Sequence, residues 1–271
     1  MNRRSVLIIA SAVLALTFGF VLWRAARPKP LRYIIAKKHR AAPKAAPAKK
    51  AKAPKVAIVM DDLGNNMNQL DEIFAIKEPI TFSILPNLKF SGATADECRS
   101  NGYEVILHLP LEPHRRDVKE EFDTIKSGMS AEDVLKMLGQ EIGSVPGLKG
   151  VSNHMGSKST EERPLMRVIL SELKRKNLYF FDSLTSEKSV CGDVASETGE
   201  RYARRDIFLD NTETVEHVEK QLLQLRKLAF KKGRAIAVCH YKKNTVTALS
   251  RTLPGMARDG IRFVYLSELV N

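Results

Sequence analysis

Cysteine is scarce in this chain: three in 271 residues, Cys98, Cys191 and Cys239, widely spaced and without a Cys-x-x-Cys pair. That excludes a disulfide framework and a cysteine-built zinc knuckle, leaving room for one disulfide at most. Cys239 directly precedes His240, but neighbours in a strand face opposite ways, so the two cannot form a nucleophile–base dyad there. The cysteines read as small buried hydrophobes. Acidic residues are missing altogether from positions 1–55, which hold 14 Lys and Arg. Taking those 14 from the 44 basic residues leaves 30 against 31 acids in residues 56–271, so the formal charge of +13 belongs to the N-terminal segment. A nucleic-acid groove needs basic clusters on the fold itself, and no nucleic-acid partner is expected.

The first 55 residues divide in two. Ser5 to Trp23 is an apolar run of 19 residues behind Arg3 and Arg4, about 28 Å long as a helix and close to a bilayer core. Arg24 and Arg27 at its end make a poor small-residue cleavage site, which favours an uncleaved anchor over residues 1–27 rather than a signal peptide. Orientation is contested. Arg24, Arg27, Lys29 and Arg32 outweigh Arg3 and Arg4, which by the positive-inside rule favours a cytoplasmic domain. A short tail before one apolar segment is instead the usual shape of an export signal-anchor. Residues 28–55 alternate Ala, Pro and Lys. Repelling charges and helix-blocking prolines predict an extended tether, with a cationic arm on anionic lipid or wall polymer as the sharper reading.

From Val56 onward short apolar runs alternate with amphipathic stretches. The expected strands are Val56–Met60, Ile80–Leu85, Glu104–Leu109, Gly150–Asn153, Leu178–Asp182, Asp206–Leu209, Ala235–Cys239 and Arg262–Leu266. Between them helical periodicity covers Asn68–Ile76, Gly92–Asn101, Ala131–Ile142, Pro164–Lys176, Thr214–Lys232 and Val246–Arg258. Ser130 reads as an N-cap, and Gly143 and Gly233 sit where helices should stop. Near-continuous hydrophobic strands alternating with helices predict a mainly parallel sheet covered on both faces, in one α/β domain over residues 56–271. A distorted β/α barrel of about seven strands fits that length. An open doubly wound sheet is the alternative, but no Gly-x-Gly-x-x-Gly follows a strand.

Polar residues collect where these strands end. Asp61-Asp62 closes the first, His108 the third, Asp182 the fifth, Asp210-Asn211 the sixth and His240 the seventh, and His154 lies in the loop after the fourth. Taken singly each has a plainer role: tight-turn chemistry for Asp61-Asp62-Leu-Gly, a hydrogen-bonded core residue for His108 and His240, an exposed loop for His154, a cap for Asp182. In a parallel barrel, however, all these ends share the rim where active sites are built. Carboxylates and imidazoles converging there are the ingredients of a hydrolytic metal site. His39, His114 and His217 fall in the spacer, a charged loop and a helix surface, and are expected to be inert.

At these residues the chain resembles the divergent polysaccharide deacetylases, related to the NodB-type deacetylases. The segments are Val56-Ala-Ile-Val-Met-Asp-Asp-Leu-Gly, Thr81-Phe-Ser-Ile-Leu-Pro, Gly102-Tyr-Glu-Val-Ile-Leu-His-Leu-Pro-Leu-Glu-Pro, Lys149-Gly-Val-Ser-Asn-His-Met-Gly-Ser-Lys, Tyr179-Phe-Phe-Asp-Ser-Leu-Thr-Ser and Arg205-Asp-Ile-Phe-Leu-Asp-Asn. The resemblance implies a distorted barrel that strips acetyl groups from N-acetylated sugars, and an exported, periplasmic or extracytoplasmic domain. It implies Asp61 as base, Asp62 as metal ligand and His240 as acid. The family's two histidine ligands in one His-x-x-x-His motif are absent, and His108 and His154 look like the replacements. Tyr241 stands where similar members place Pro.

The resulting expectation is Zn²⁺ or a similar divalent ion on Asp62, His108 and His154, with an acetylated envelope glycan as substrate. Asp182 would orient a histidine or bind a sugar hydroxyl, Arg205 would hold Asp61 ionised, and Glu112 would be a further rim carboxylate. Two alternatives remain at this stage. One is a glycan- or envelope-protein-binding module on the same barrel, and the other is a metal hydrolase of different substrate class, since fold does not fix substrate.

Overall fold

The computed structural model describes residues 53–115, 117 and 123–271. The expected anchor and most of the spacer lie outside the described residues. Among the described residues no helix is long and apolar enough to cross a membrane.

The chain runs β1 (Lys55–Leu63), α1 (Leu70–Phe74), β2 (Thr81–Ile84), α2 (Ser91–Ser100), β3 (Glu104–Leu111), α3 (Ala131–Ser144), β4 (Gly150–Met155), α4 (Arg163–Arg175), β5 (Tyr179–Asp182) and α5 (Cys191–Thr198). It continues through β6 (Tyr202–Arg204), β7 (Ile207–Phe208), α6 (Val215–Lys232), β8 (Arg234–His240), α7 (Lys243–Arg258) and β9 (Arg262–Phe263). Every pairing is parallel, in the order β6-β5-β4-β3-β2-β1-β8-β7, with β9 beside the start of β1. Strand alternation sorts the side chains. Val56, Ile58 and Met60 face the helices, whereas Ala57 and Val59 join Ile106, Tyr179, Phe181, Ile236 and Val238 in a second cluster inside the curl.

The expected barrel is curled but not closed. Its edge strands β6 and β7 do not pair among the described residues, yet only Arg205 and Asp206 separate them in sequence. The Arg205 amide donates to Asp182 O on one edge (3.0 Å), and the next amide, of Asp206, donates to Ile236 O on the other (2.9 Å). One dipeptide therefore spans the seam. At the N-terminal ends of the strands the turn Leu266–Glu268 plugs the interior. There Glu104 Oε1 accepts from Thr81 Oγ1, Tyr179 OH and the Ser267 amide at 3.1, 2.9 and 3.1 Å.

The expected helix signals divide. Ser130 Oγ caps α3 by accepting from the Asp133 amide at 3.1 Å, and Gly233 closes α6 in the left-handed region at φ +80°. Gly143 does not stop α3, which continues to Ser144. Two elements, α5 and β6, were not expected. The first is an 8-residue helix and the second a 3-residue strand, both too short for periodicity to register.

Candidate metal and acid–base site

The site begins with a break in β1. By alternation Asp61 points inside and Asp62 away. Register with β2 slips between Met60 and Leu63, and Asp62 takes φ +65°. A bulge with one residue in the left-handed region re-aims a side chain, and Asp tolerates that region better than most residues. Both carboxylates thereby reach one cavity of about 580 Å³, lined also by His108, His154, Arg205, Phe208, Asn211 and His240.

Next come the two histidines. His108 on β3 stands in register with Ser152 on β4, and Pro110 with His154. His154 is thus a strand residue and not part of the following loop, because β4 continues to Met155 before turning at φ +52° and then Gly156. The His108 and His154 rings meet edge to face with centroids 4.9 Å apart. Asp62 Oδ1 lies 3.2 Å from His108 Nε2 and 3.2 Å from His154 Nδ1. Burial opposes ionisation of Asp62, but the two imidazoles outweigh it and hold the carboxyl far below the usual carboxylate range.

A divalent cation fits this group. Ligand atoms of Asp62, His108 and His154 all lie within 4.8 Å of one another. Asp62 Oδ1 and His154 Nε2 are buried without a hydrogen-bond partner, a cost that a cation would relieve. One carboxylate and two imidazoles are a donor set suited to zinc or a related ion. Beside them Asp61 is 2% exposed, with Oδ1 unpartnered and 3.7 Å from His108 Nδ1. Burial pushes its carboxyl above the usual range, against the opposing pull of His108.

His240 ends β8, the strand paired with β1, in register with Asp61. Its Nε2 is 3.7 Å from Asp62 Oδ2, and Nδ1 is 3.2 Å from Asp210 Oδ1. Asp210 is itself fixed, because Oδ2 accepts from the His240 amide at 2.8 Å and Thr245 Oγ1 at 3.0 Å. Burial works against charging His240, but the bond to Asp210 and the fields of Asp62, Asp210 and Asp61 prevail and raise it. Phe208 meets the His240 ring edge-on, centroids 5.3 Å apart. Cys239, one residue earlier, is fully buried and directed at Val59 O, as alternation requires.

Three further residues expected at the rim have other engagements. Asp182 accepts from the Leu184 amide, Ser189 Oγ and Tyr202 OH at 2.7, 2.6 and 3.2 Å, and neither touches a histidine nor lines this cavity. Glu112 pairs with Lys158 Nζ and the Ser127 amide, both at 2.8 Å, also off the cavity wall. Arg205 does line it, but its guanidinium donates to Ser183 O and Leu184 O at 2.7 and 2.9 Å. It makes no ion pair with Asp61 and acts on that carboxylate only through space. Of the histidines expected to be inert, His39 lies outside the described residues, His114 pairs with Glu161 at 3.2 Å, and His217 bonds Asn211 at 2.7 Å. Sequence reasoning did not assign roles to Asp210, to Ser152, whose Oγ is 2.8 Å from His108 Nδ1, or to Ser83, whose Oγ is 2.7 Å from that of Ser152. Only Asp210 carried a signal, as an acid at a strand end.

Comparison with known proteins identifies relatives of this chain and of its fold. An uncharacterized protein of Haemophilus influenzae is 35% identical over 215 residues, spanning 79% of this chain and 76% of its own. A crystal structure of an uncharacterized protein from Agrobacterium tumefaciens shares the fold at TM-score 0.77, with 24% identity over 82% of this chain and 91% of that one. The catalytic domain of peptidoglycan N-acetylglucosamine deacetylase from Eubacterium rectale superposes at TM-score 0.51, 13% identical, over 82% of this chain and 94% of that one. Residues 58–270, carrying all the groups described above, match the model of one family, and the chain belongs to it: the divergent polysaccharide deacetylases.

Proposed function

We propose that this protein is a divalent-cation-dependent hydrolase that removes acetyl groups from N-acetylated carbohydrate of the cell envelope. The observation that carries the reading is the convergence of Asp62, His108 and His154 within 4.8 Å, with Asp61 and the Asp210–His240 pair beside them. Asp62, His108 and His154 would hold the ion, with zinc the best fit to the donor set. When bound, such an ion supplies Lewis acidity, polarising an acetyl carbonyl and lowering the pKa of a water toward about 7.

The chain's own groups divide the proton work. Asp61, raised by burial, accepts a proton from the attacking water as the C–O bond forms. His240 faces the cavity through Nε2 while Asp210 holds Nδ1. It delivers a proton to the nitrogen as the C–N bond breaks, so acetate and a free amine leave. Phe208 at the His240 ring edge offers an apolar wall, and Asn211 a polar contact, for a sugar. The chain enters β1 at Lys55, at the end remote from the cavity. With residues 1–27 as an uncleaved anchor, the domain would act outside the cytoplasm, where such a carbohydrate lies.

Metal content of the purified full-length chain, by elemental analysis with His154→Ala as control, tests the centre. Acetate release from N-acetylated oligosaccharides and peptidoglycan then tests the reaction. Near-stoichiometric metal that disappears in the variant, with acetate released by the parent, is expected. A parent that stays metal-free after zinc reconstitution sinks the reading. Metal without acetate release moves it to a glycan-binding module.

A further inference from the structure

The two ends of the barrel differ in charge. Residues 56–271 hold 30 basic against 31 acidic side chains, yet exposed cations gather at the end where the chain enters the strands. The last turns of α2, α4, α6 and α7 bring Arg99, Lys174, Arg175, Lys231, Lys232 and Arg258 there. Cations in last turns complement the helix dipole, which accounts for these. It does not account for Lys149 before β4 or Arg201 before β6, because α3 and α5, which precede them, have no basic residue in their last turns. Acids at this end are mostly engaged. Glu104 and Glu200 are buried, Glu268 pairs with Lys55 and Arg262, Asp96 with Arg99, and Asp259 with Arg226. By contrast Lys149, Lys231 and Arg258 are exposed, and their side chains have no hydrogen bond or ion pair among the described residues.

Apolar and aromatic groups sit among these cations. Phe230, in the last turn of α6, is 49% exposed, with the Arg226 guanidinium 5.3 Å from its ring centre. A cleft of about 660 Å³ is walled by Arg99, Lys149, Tyr103 and Tyr265, and the Tyr265 hydroxyl donates to Gly102 O at 2.8 Å. Tyrosine and exposed phenylalanine interleaved with Lys and Arg match the headgroup layer of an anionic membrane, where an aromatic body and a charged head are both satisfied. The chain also enters the fold here, at Lys55, and residues 24–54 separate it from the apolar run that ends at Trp23. A Pro- and Lys-rich spacer of that length brings a domain to a membrane without choosing which face meets it. It does raise the local concentration, so a face of weak intrinsic affinity becomes engaged.

We propose that the strand-entry end of the barrel is a docking face for an anionic phospholipid bilayer, held by Lys149, Lys231 and Arg258 with Phe230 at the headgroup level. Each such cation strengthens binding about fivefold, and salt screens the attraction. The face turns the cavity at the other strand ends away from the lipid. It goes beyond the hydrolase reading and does not depend on the metal centre.

The test uses the full-length chain on vesicles of phosphatidylcholine, alone or mixed with phosphatidylglycerol. A fluorescent dye is attached at Ser267→Cys on this face, or at Thr212→Cys in the loop after β7 at the cavity end. Both positions are exposed, and the native Cys98, Cys191 and Cys239 are buried. With phosphatidylglycerol the Ser267 dye is expected to be shielded from an aqueous quencher and the Thr212 dye to stay open, and high salt to reverse the shielding. The triple variant Lys149→Gln, Lys231→Gln, Arg258→Gln gives up no partner in the fold, and docking should weaken about a hundredfold in it. A Ser267 dye quenched equally on both kinds of vesicle overturns the docking face. So does equal shielding of both dyes, because then no face is chosen. A triple variant shielded like the parent assigns the attraction to the 14 basic residues of positions 1–55 and overturns it too. Soluble polyphosphate that shields the Ser267 dye on phosphatidylcholine as well as the mixed vesicles do would make the partner a polyanion and not a bilayer.

Discussion

Asp210 has no contact with any atom that reacts, yet it sets the charge of one that does. Its carboxylate accepts from the His240 backbone and side chain and from Thr245, and it is among the causes that raise His240 above the ordinary imidazole value. A general acid must be protonated, so activity is lost as pH rises through its pKa. In Asp210→Asn that pKa drops and the alkaline fall in kcat is expected at lower pH, with kcat down about ten- to a hundredfold and KM nearly unchanged. An unshifted alkaline limb would remove His240 from the acid role. At this scale the sequence announces charged groups and conceals neutral ones. Asp61, Asp62, His108, His154 and His240 were legible because ionisable residues at strand ends are conspicuous. Ser83 and Ser152 were not, because a serine in an apolar strand has no signature until its partner across β3 is placed. Asp182 and Glu112 obey the same strand-end rule but stabilise loops, and only their hydrogen-bond partners reveal it.

Among the helices, α3 carries an acid in its apolar stripe: Val134, Leu138 and Glu141 are its buried residues. Neither Glu141 oxygen has a hydrogen-bond partner, and burial, helped by Asp123, pushes the carboxyl up to about 9 from an ordinary 4.5. Between those values the native state holds a proton that the unfolded chain has released, so stability falls as pH rises through that window. Glu141→Gln cannot ionise. It is expected to match the parent near pH 4 and to exceed it at about pH 8 by on the order of 2–4 kcal/mol. Denaturant unfolding at the two pH values measures this, and identical pH slopes in parent and variant would contradict it. The stripe itself was legible from periodicity, since apolar spacing marks a buried face whatever the odd residue on it. The short elements α5 and β6 were invisible for the complementary reason. Pairing of β6 with β5, and packing of α5 against α4, hold them in place, and tertiary contacts leave no periodic trace in a few residues.

Across the whole molecule the barrel is fastened differently at its two ends. At the N-terminal ends of the strands the Leu266–Glu268 turn closes the interior, with Leu266 fully buried and its amide on Thr81 Oγ1 at 3.0 Å. At the other end Asp62, His108 and His154 come from β1, β3 and β4, so a bound ion would tie together strands far apart in sequence. Their convergence could be anticipated because parallel strands deliver their C-terminal ends to one rim. The open seam could not, because it depends on where two short edge strands stop pairing. An ion that binds only the folded state adds stability by mass action, about 2.7 kcal/mol at a hundredfold excess over Kd. Leu266→Ala, which empties a core position at the other end, should cost about 2–5 kcal/mol. Groups this far apart with no shared partner act additively. Leu266→Ala is therefore expected to lower Tm without and with zinc while keeping the zinc-induced rise, and His108→Ala to lose that rise. Thermal unfolding of the parent and both variants, with zinc and with chelator, measures all of these quantities together. A zinc rise that survives in His108→Ala would place the ion elsewhere. A rise lost in Leu266→Ala would mean that the two ends of the barrel are coupled.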